Sequence, residues 1–189
     1  MRLTEDINKL KNDFAAQAPA EILTAIGQAI EGLRQAGITD NSCKQGDMAP
    51  VFNLPNVRGE NISLSELLTK GPVVLNFYRG VWWPFCNLEL RALQLKLSEI
   101  TSLGAQLVAV SPQLPDNSLS TAEKLSLTFE VLSDVGNKVA RDFGIVFTLP
   151  ETLRDIYKGF GIDLPASNGD QTFELPVPAT YIIDRQGII

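Results

Sequence analysis

The sequence predicts an α/β layered domain, because segments typical of strands alternate with segments typical of helices along most of the chain. The clearest example is residues 73–78, an apolar run rich in β-branched and aromatic residues. Such a run is typical of a central strand buried on both faces of a parallel sheet. After a short turn, Leu93, Leu97 and Ile100 recur at the spacing of one helix face. The other predicted elements are arranged around this strand and helix.

The remaining elements continue the alternation. Residues 51–54 and 61–62 flank a predicted hairpin turn, and the capping-box spacing of Ser63 and Glu66 predicts a short helix. Further strands are predicted at residues 106–110, 129–132 and 180–183, with helices at residues 117–127, 137–143 and 150–160. Residues 163–174 are expected to form a loop, and a turn at residues 184–187 favours a C-terminus that continues beyond Ile189.

The first part of the chain predicts two amphipathic helices. One helix carries an apolar face at three- and four-residue spacing, formed by Leu3, Ile7, Leu10 and Phe14. Pro19 begins a second helix and Gly37 ends it. We expect a helical hairpin that packs on the main domain or on its copy in a homodimer.

Length and composition indicate a globular protein. The chain has 189 residues, of which 44% are apolar, and a net charge of −6 without a basic run. This length allows one domain with a sizeable core, and the charge argues against a nucleic-acid surface. The sequence shows neither a membrane-spanning segment nor a secretory signal, so we expect a cytoplasmic location.

The sequence contains no histidine, which limits the kinds of catalytic and metal sites that it can form. This absence excludes catalytic triads that use histidine, and it leaves zinc without a plausible set of ligands. Two cysteines form no disulfide scaffold and point to reduced or catalytic thiols. We therefore expect neither a metal nor a cofactor.

Cys86 is the predicted reactive residue. It follows the central strand and falls in the first turn of the next helix, where Pro84 suits the first helical position. Free N–H groups and the positive end of the helix dipole favour an anion there, and the nearby Arg79 favours it further. Ligands of α/β sheets also bind beyond the carboxyl ends of strands, so a nucleophilic thiolate is expected. The alternative is that Cys86 is only a small buried apolar residue.

Several motifs from Gly46 onward resemble the peroxiredoxins, specifically the peroxiredoxin-like branch of the alkyl hydroperoxide reductase and thiol-specific antioxidant family. The sequence at residues 46–52, Gly-Asp-Met-Ala-Pro-Val-Phe, is similar to the family's opening motif. The strongest likeness is Phe-Tyr-Arg-Gly at residues 77–80 followed by Cys-Asn-Leu-Glu at residues 86–89. Residues 132–144 and 177–184 resemble the later motifs, and Pro178 matches the cis-proline of thioredoxin-fold peroxidases.

The resemblance implies a thioredoxin-like peroxiredoxin domain over residues 46–189, preceded by a helical-hairpin extension and link over residues 1–45. It also implies reduction of hydrogen peroxide or organic hydroperoxides by Cys86, which would become a sulfenic acid. A second thiol, from Cys43 or from a thioredoxin- or glutathione-type reductant, would then regenerate the thiol through a disulfide.

This sequence departs from the family pattern around the cysteine. Arg79 and Trp83 occupy the places of the usual proline and of the hydroxyl residue that helps to hold the peroxide. The peroxiredoxin-like branch often carries Cys-Pro-x-Cys, and here Trp83 replaces the first cysteine. If that first cysteine is the usual nucleophile, Cys86 is only its partner. The usual arginine near the last strand is also unmatched, since Pro178 and Ala179 stand there.

The candidate site residues each have a structural alternative. Arg79 is expected to replace the missing arginine by stabilising the thiolate and the departing oxygen, or else to be a solvated turn residue. Glu89, one helical turn after Cys86, is expected to orient an arginine or to be a surface charge. Trp82 and Trp83, with Pro84 and Pro178, are expected to wall an apolar pocket or to pack in the core.

Two rival functions stay open at this point. A thiol–disulfide oxidoreductase would share the fold, but Trp83 removes the first cysteine of the pair that this chemistry uses. A degenerate, non-catalytic thioredoxin-fold protein is the other alternative, favoured by Trp83 and by the unmatched arginine.

Overall fold

The computed structural model describes residues 2–189 and shows the predicted alternation of helices and strands. The helices are α1 (Leu3–Gln17), α2 (Ala20–Gln35), α3 (Leu64–Lys70), α4 (Pro84–Ser102), α5 (Pro115–Leu125), α6 (Lys138–Asp142), α7 (Glu151–Gly159) and α8 (Leu164–Asn168). The strands are β1 (Asn53–Pro55), β2 (Asn61–Ser63), β3 (Val73–Phe77), β4 (Gln106–Ser111), β5 (Glu130–Ser133), β6 (Val146–Thr148), β7 (Glu174–Pro176) and β8 (Ala179–Ile183). In this part of the chain, no helix is both long and apolar enough to cross a membrane.

The central sheet has four strands in the order β5-β4-β3-β8. Strands β3, β4 and β5 run parallel, whereas β8 pairs antiparallel with β3. The sheet is therefore mixed rather than wholly parallel, although β3 is central and buried as predicted. Strands β1 with β2, and β6 with β7, form two small antiparallel pairs.

The two faces of the central sheet have separate cores. Leu75 and Phe77 lie in a core that includes α3 and α6 residues, and Phe77 packs against Phe143 with ring centroids 5.0 Å apart. Tyr78, the next residue, lies in a second core with Cys86 of α4. Successive residues of a strand point to opposite faces, so this alternation places Cys86 on the Tyr78 side of the sheet.

The two N-terminal helices pack on the domain rather than mainly on each other. Helix α1 contacts α4 and helix α2 contacts α7. Phe14 of α1 meets Phe160 edge-on, with ring centroids 6.0 Å apart. None of the side chains of α1 or α2 is fully buried, so both helices form an outer layer.

The structure adds three elements that the sequence pattern misses. Strand β6, helix α8 and strand β7 are absent from the predicted set; α8 falls in the segment expected to be a loop, and β7 begins at its last residue. Asp163 caps α8 by accepting a hydrogen bond from the Ala166 N–H at 3.0 Å. Strand β7 forms because it pairs with β6, which is distant in sequence and has no periodic signal of its own.

Candidate active site

Cys86 lies where the sequence places it, but it is closed off from solvent. It is the third residue of α4, and its Sγ atom accepts a hydrogen bond from the Arg79 main-chain N–H at 3.5 Å. The side chain is 1% exposed and packs with Tyr78 and Leu90. Both expected features of Cys86 are therefore present, since it stands at a helix N-terminus and is also a buried core residue.

The expected stabilised thiolate is wrong for this closed arrangement. Burial raises the pKa of the Cys86 thiol to about 11, because an ion in the core loses its hydration. The N–H groups of Arg79 and Gly80 and the Arg79 charge oppose this shift, whereas the Glu89 charge adds to it. The effect of desolvation on the Cys86 pKa is larger than these opposing effects, so the thiol is protonated at neutral pH.

Arg79 is held between two aromatic rings. Its guanidinium carbon lies 5.4 Å from the centroid of Trp83 and 5.1 Å from that of Phe147. The Nε atom is buried without a hydrogen-bond partner, and among the described residues no carboxylate pairs with Arg79. Cation–π contact replaces an ion pair here. The solvated-turn alternative does not fit this environment, and the Nε–H of the guanidinium is an unused hydrogen-bond donor.

The two tryptophans cover this region from the side of α7. Trp83 stacks on Tyr157, with ring centroids 5.6 Å apart and planes at 16°, and Trp82 lies edge-on to Tyr157 at 6.0 Å. Both tryptophans join the core formed by α7 residues with α2. Packing, the alternative considered for them, is what this structure shows.

The cavities found beside α4 are on its outer side. One of about 330 Å³ is lined by Pro84 and residues of α1, and one of about 730 Å³ lies between α4 and α5. Neither is lined by Cys86, Trp82 or Trp83. Pro84 thus faces α1 and not a cavity next to the cysteine.

Glu89 has a different role from either expectation. Its Oε1 atom accepts hydrogen bonds from Asn76 Nδ2 at 3.1 Å and from Thr180 Oγ1 at 3.4 Å. Burial raises the pKa of the Glu89 carboxyl. Glu89 orients no arginine, and it is neither a free surface charge nor paired with Arg79. Instead it joins α4 to strands β3 and β8.

Pro178 and Cys43 both lie away from the expected arrangement. The described residues contain no cis peptide bond, so the cis-proline expected at Pro178 is wrong. The Cys43 N–H donates to the Phe143 carbonyl at 3.0 Å, and the Cys43 side chain packs on the Phe77 face of the sheet. Cys86 lies on the opposite face, and both cysteines are free. The sheet therefore separates the predicted resolving thiol from the predicted nucleophile.

The structure brings in residues that sequence reasoning missed. Gln113 and Asn87 hydrogen-bond to the main chain of Val81, in the loop before α4. Tyr157 and Phe147 supply aromatic rings around Arg79 and Trp83. The sequence could have indicated Gln113 as a site residue, because it follows the carboxyl end of β4, where α/β proteins place their ligands. No feature of the sequence indicates Phe147.

Comparison with known proteins decides the family. Residues 45–189 match the model of the AhpC/TSA family. The chain belongs to the AhpC/TSA family. It is similar to the chloroplastic peroxiredoxin Q of Suaeda salsa, with 30% identity over 145 residues that cover 77% of this chain and 57% of that protein. It is also 31% identical over 105 residues to peroxiredoxin Bcp of Escherichia coli K12, covering 56% of this chain and 67% of that protein.

Solved structures agree with this assignment. The peroxidoxin BcpB of Mycobacterium tuberculosis aligns with a TM-score of 0.62 and 27% identity, over 77% of this AhpC/TSA chain and 81% of its own. A putative thiol:disulfide interchange protein DsbE from Chlorobium tepidum aligns with a TM-score of 0.56 and 22% identity, over 78% and 82% of the two chains. The second likeness shows the fold alone. The chain is a mixed α/β protein of the thioredoxin-like type.

Proposed function

We propose that this chain is a cysteine-dependent peroxidase that reduces hydrogen peroxide or organic hydroperoxides, with Cys86 as the reacting residue. The observation that carries the proposal is the loop before α4, which directs the Arg79 N–H at the Cys86 Sγ atom and brings the Arg79 charge near enough to oppose the rise in the thiol pKa. Family membership supports it, since the relatives are named peroxiredoxins. The chain spans 57% of the length of the Suaeda relative. The activity is therefore proposed for this chain from the geometry of its own site.

The proposed reaction begins with a thiolate at Cys86. The sulfur attacks the terminal oxygen of the hydroperoxide, an S–O bond forms, and the O–O bond breaks. Sulfur is oxidised by two electrons and becomes a sulfenic acid, while the departing oxygen takes both electrons of the broken bond and gains a proton to leave as alcohol or water. A reductant thiol then attacks the sulfenic sulfur, which forms a mixed disulfide and releases water, and a second thiol restores Cys86.

Arg79 is proposed to act on the peroxide. Its charge lies in a region of low polarity between Trp83 and Phe147, where an electrostatic interaction is stronger than in water. The unused Nε–H is a donor available to the oxygen that gains charge as the O–O bond breaks. The closed arrangement of Cys86 also requires an opening step before reaction, since the thiol is buried and protonated.

The reductant is proposed to be an outside thiol of thioredoxin or glutathione type. Cys43 lies on the opposite face of the central sheet, so a disulfide with Cys86 would require the backbone to move. We further propose, from the sequence alone, a cytoplasmic location and a homodimer. Cell fractionation and sedimentation in solution test these two points.

The rate of thiol oxidation tests the peroxidase proposal. Wild-type protein and the variants Cys86→Ser and Cys43→Ser would be mixed with hydrogen peroxide and with an organic hydroperoxide, and sulfenic acid would be followed by mass spectrometry. We expect rapid oxidation that rises with pH and is lost only in Cys86→Ser. Oxidation no faster than that of free cysteine would refute the proposal.

A non-catalytic role is the second candidate, and a specific observation favours it. The thiol is 1% exposed with a pKa of about 11, and Trp83 occupies the place of the family's hydroxyl residue. In that case peroxide would leave Cys86 unmodified in the folded protein. The oxidoreductase alternative has less support, because Trp83 removes the first cysteine of the required pair; reduction of a model disulfide tests it.

A further inference from the structure

The loop between β3 and α4 is held at one residue by two side-chain amides. The Val81 N–H donates to Gln113 Oε1 at 3.1 Å, and the Val81 carbonyl accepts from Asn87 Nδ2 at 2.8 Å. Val81 lies two residues after Arg79, whose N–H meets Cys86 Sγ. Two successive peptide units of this short loop are therefore anchored on both sides.

Gln113 is fixed in the orientation that this contact needs. Its side chain is 1% exposed, its Oε1 also accepts from Thr121 Oγ1 at 3.2 Å, and its Nε2 donates to Ser167 Oγ at 3.4 Å. A buried amide is costly unless its polar atoms are bonded. Turning the amide over would set its NH2 group against the Val81 N–H, a donor facing a donor, whereas the two hydroxyls can bond in either orientation. The carbonyl therefore stays directed at Val81.

Asn87 ties the same loop to the helix of the nucleophile. It follows Cys86 directly in α4, and its own N–H donates to the Trp83 carbonyl at 3.2 Å. Since a helix is rigid over one turn, Asn87 fixes the distance between Val81 and Cys86. Gln113 fixes the preceding peptide unit relative to the end of β4, so the loop is clamped between the sheet and the helix.

We propose that Gln113 and Asn87 are positioning residues, which hold the loop backbone so that the N–H groups of Arg79 and Gly80 face Cys86 Sγ and favour its thiolate. This rests on the proposed function in that Cys86 is taken as the reacting residue. A hydrogen bond to the ionised form of a group favours that form, and bonds to an anion are stronger than neutral ones. Loss of the clamp therefore lowers the thiolate fraction at a given pH.

The other charged and titratable residues that face Cys86 are not substituted in the test. Arg79 carries the nearby positive charge and Glu89 the negative one, and the phenols of Tyr78 and Tyr157 are the remaining titratable groups around it. None of these side chains hydrogen-bonds to Gln113 or Asn87. A change in the ionisation of Cys86 on substitution of Gln113 or Asn87 would therefore reflect a change in the main-chain N–H donors of the loop.

The experiment measures ionisation of Cys86 directly. In a Cys43→Ser background, protein labelled with carbon-13 at cysteine has one β-carbon signal, whose shift follows the thiolate fraction as pH rises. Gln113→Leu and Asn87→Ala are each expected to lower the thiolate fraction about tenfold at the highest pH where the proteins stay folded, which equals one pKa unit. Gln94→Leu is the matched control. The Gln94 amide also accepts a main-chain N–H, that of Thr128 at 2.8 Å, but it lies two turns further along α4.

An unchanged thiolate fraction in both variants, or an equal fall in Gln94→Leu, would overturn the proposal. If Gln113→Leu does not fold, Asn87→Ala decides, since Asn87 is only half-buried and alanine favours the helix. The titration needs no peroxide. A chain that is inert towards peroxide but shows the expected fall would refute the peroxidase proposal and leave the clamp supported.

Discussion

Trp83 stacks face to face on Tyr157, with ring centroids 5.6 Å apart. This contact joins the residue just before α4 to helix α7 and lies over the Arg79 guanidinium. In the family pattern, the Trp83 position carries a small hydroxyl residue that helps to hold the peroxide. Here the position carries a large ring that also packs against the core containing Cys86, so we expect access to the thiol to depend on movement of this aromatic stack.

Replacing the ring is therefore expected to open the site. Trp83→Thr should increase the rate of Cys86 oxidation by peroxide about tenfold, equivalent to about 1.4 kcal/mol in the activation barrier, because it removes the large ring and restores a hydroxyl. Trp83→Val has nearly the same shape as threonine without the hydroxyl and should show a smaller gain. The rates would be measured by stopped-flow mixing in the Cys43→Ser background. Equal rates in wild type and both variants would show that Trp83 does not control access.

Replacing Arg79 is expected to slow oxidation of Cys86. Arg79→Met keeps an apolar side chain between Trp83 and Phe147 but removes the charge and the Nε–H donor. We expect a loss of about a hundredfold in the second-order rate with peroxide, the lower end of the range for one lost donor to a developing oxyanion. Arg91→Met, at an exposed position of α4 without an ion pair among those found, is the control. If the two variants oxidise at the same rate, Arg79 has no part in the reaction.

The stability of the fold is expected to depend on Cys86 at alkaline pH. Folding raises the thiol pKa from 9.0 to about 11, so the folded state binds the proton more tightly than the unfolded chain. This contribution is complete below pH 9 and is lost as pH rises from 9 to 11, with a maximum of about 3 kcal/mol.

Denaturant unfolding at several pH values checks this dependence. The free energy of unfolding of the Cys43→Ser protein should fall more steeply with alkaline pH than that of Cys43→Ser with Cys86→Ala, since alanine does not ionise. Tyr78, whose pKa burial raises to about 12, is present in both proteins and titrates above this range. Parallel pH profiles would mean that Cys86 is not held in the buried, protonated form.

Removal of Cys43 is expected to leave turnover unchanged. Cys43 packs on the Phe77 face of the sheet and Cys86 on the other face. With an outside thiol as reductant, Cys43→Ser should consume peroxide at the wild-type rate. Accumulation of sulfenic acid in Cys43→Ser, or a Cys43–Cys86 disulfide in oxidised wild type, would contradict the separation seen in the structure.

Local patterns predicted the elements of the central domain well. The apolar run before Arg79 is strand β3, and the capping spacing at Ser63 marks the start of α3, where the Ser63 hydroxyl accepts from the Glu66 N–H. Strand β6 and strand β7 escaped prediction because each has three residues and forms only by pairing with the other. Pro178 misled the prediction, since a resemblance in sequence did not carry the cis peptide bond with it.

The sequence by itself determined the family, the order of the elements and the place of Cys86 at the start of a helix, because these depend on residues within a few positions of one another. Only the tertiary structure decided that Cys86 is buried with a raised pKa and that the sheet separates it from Cys43. It also decided that Trp83 and Arg79 pack against rings from α7 and β6. Desolvation and aromatic stacking arise from segments that are distant along the chain, and no local pattern records which segments will meet.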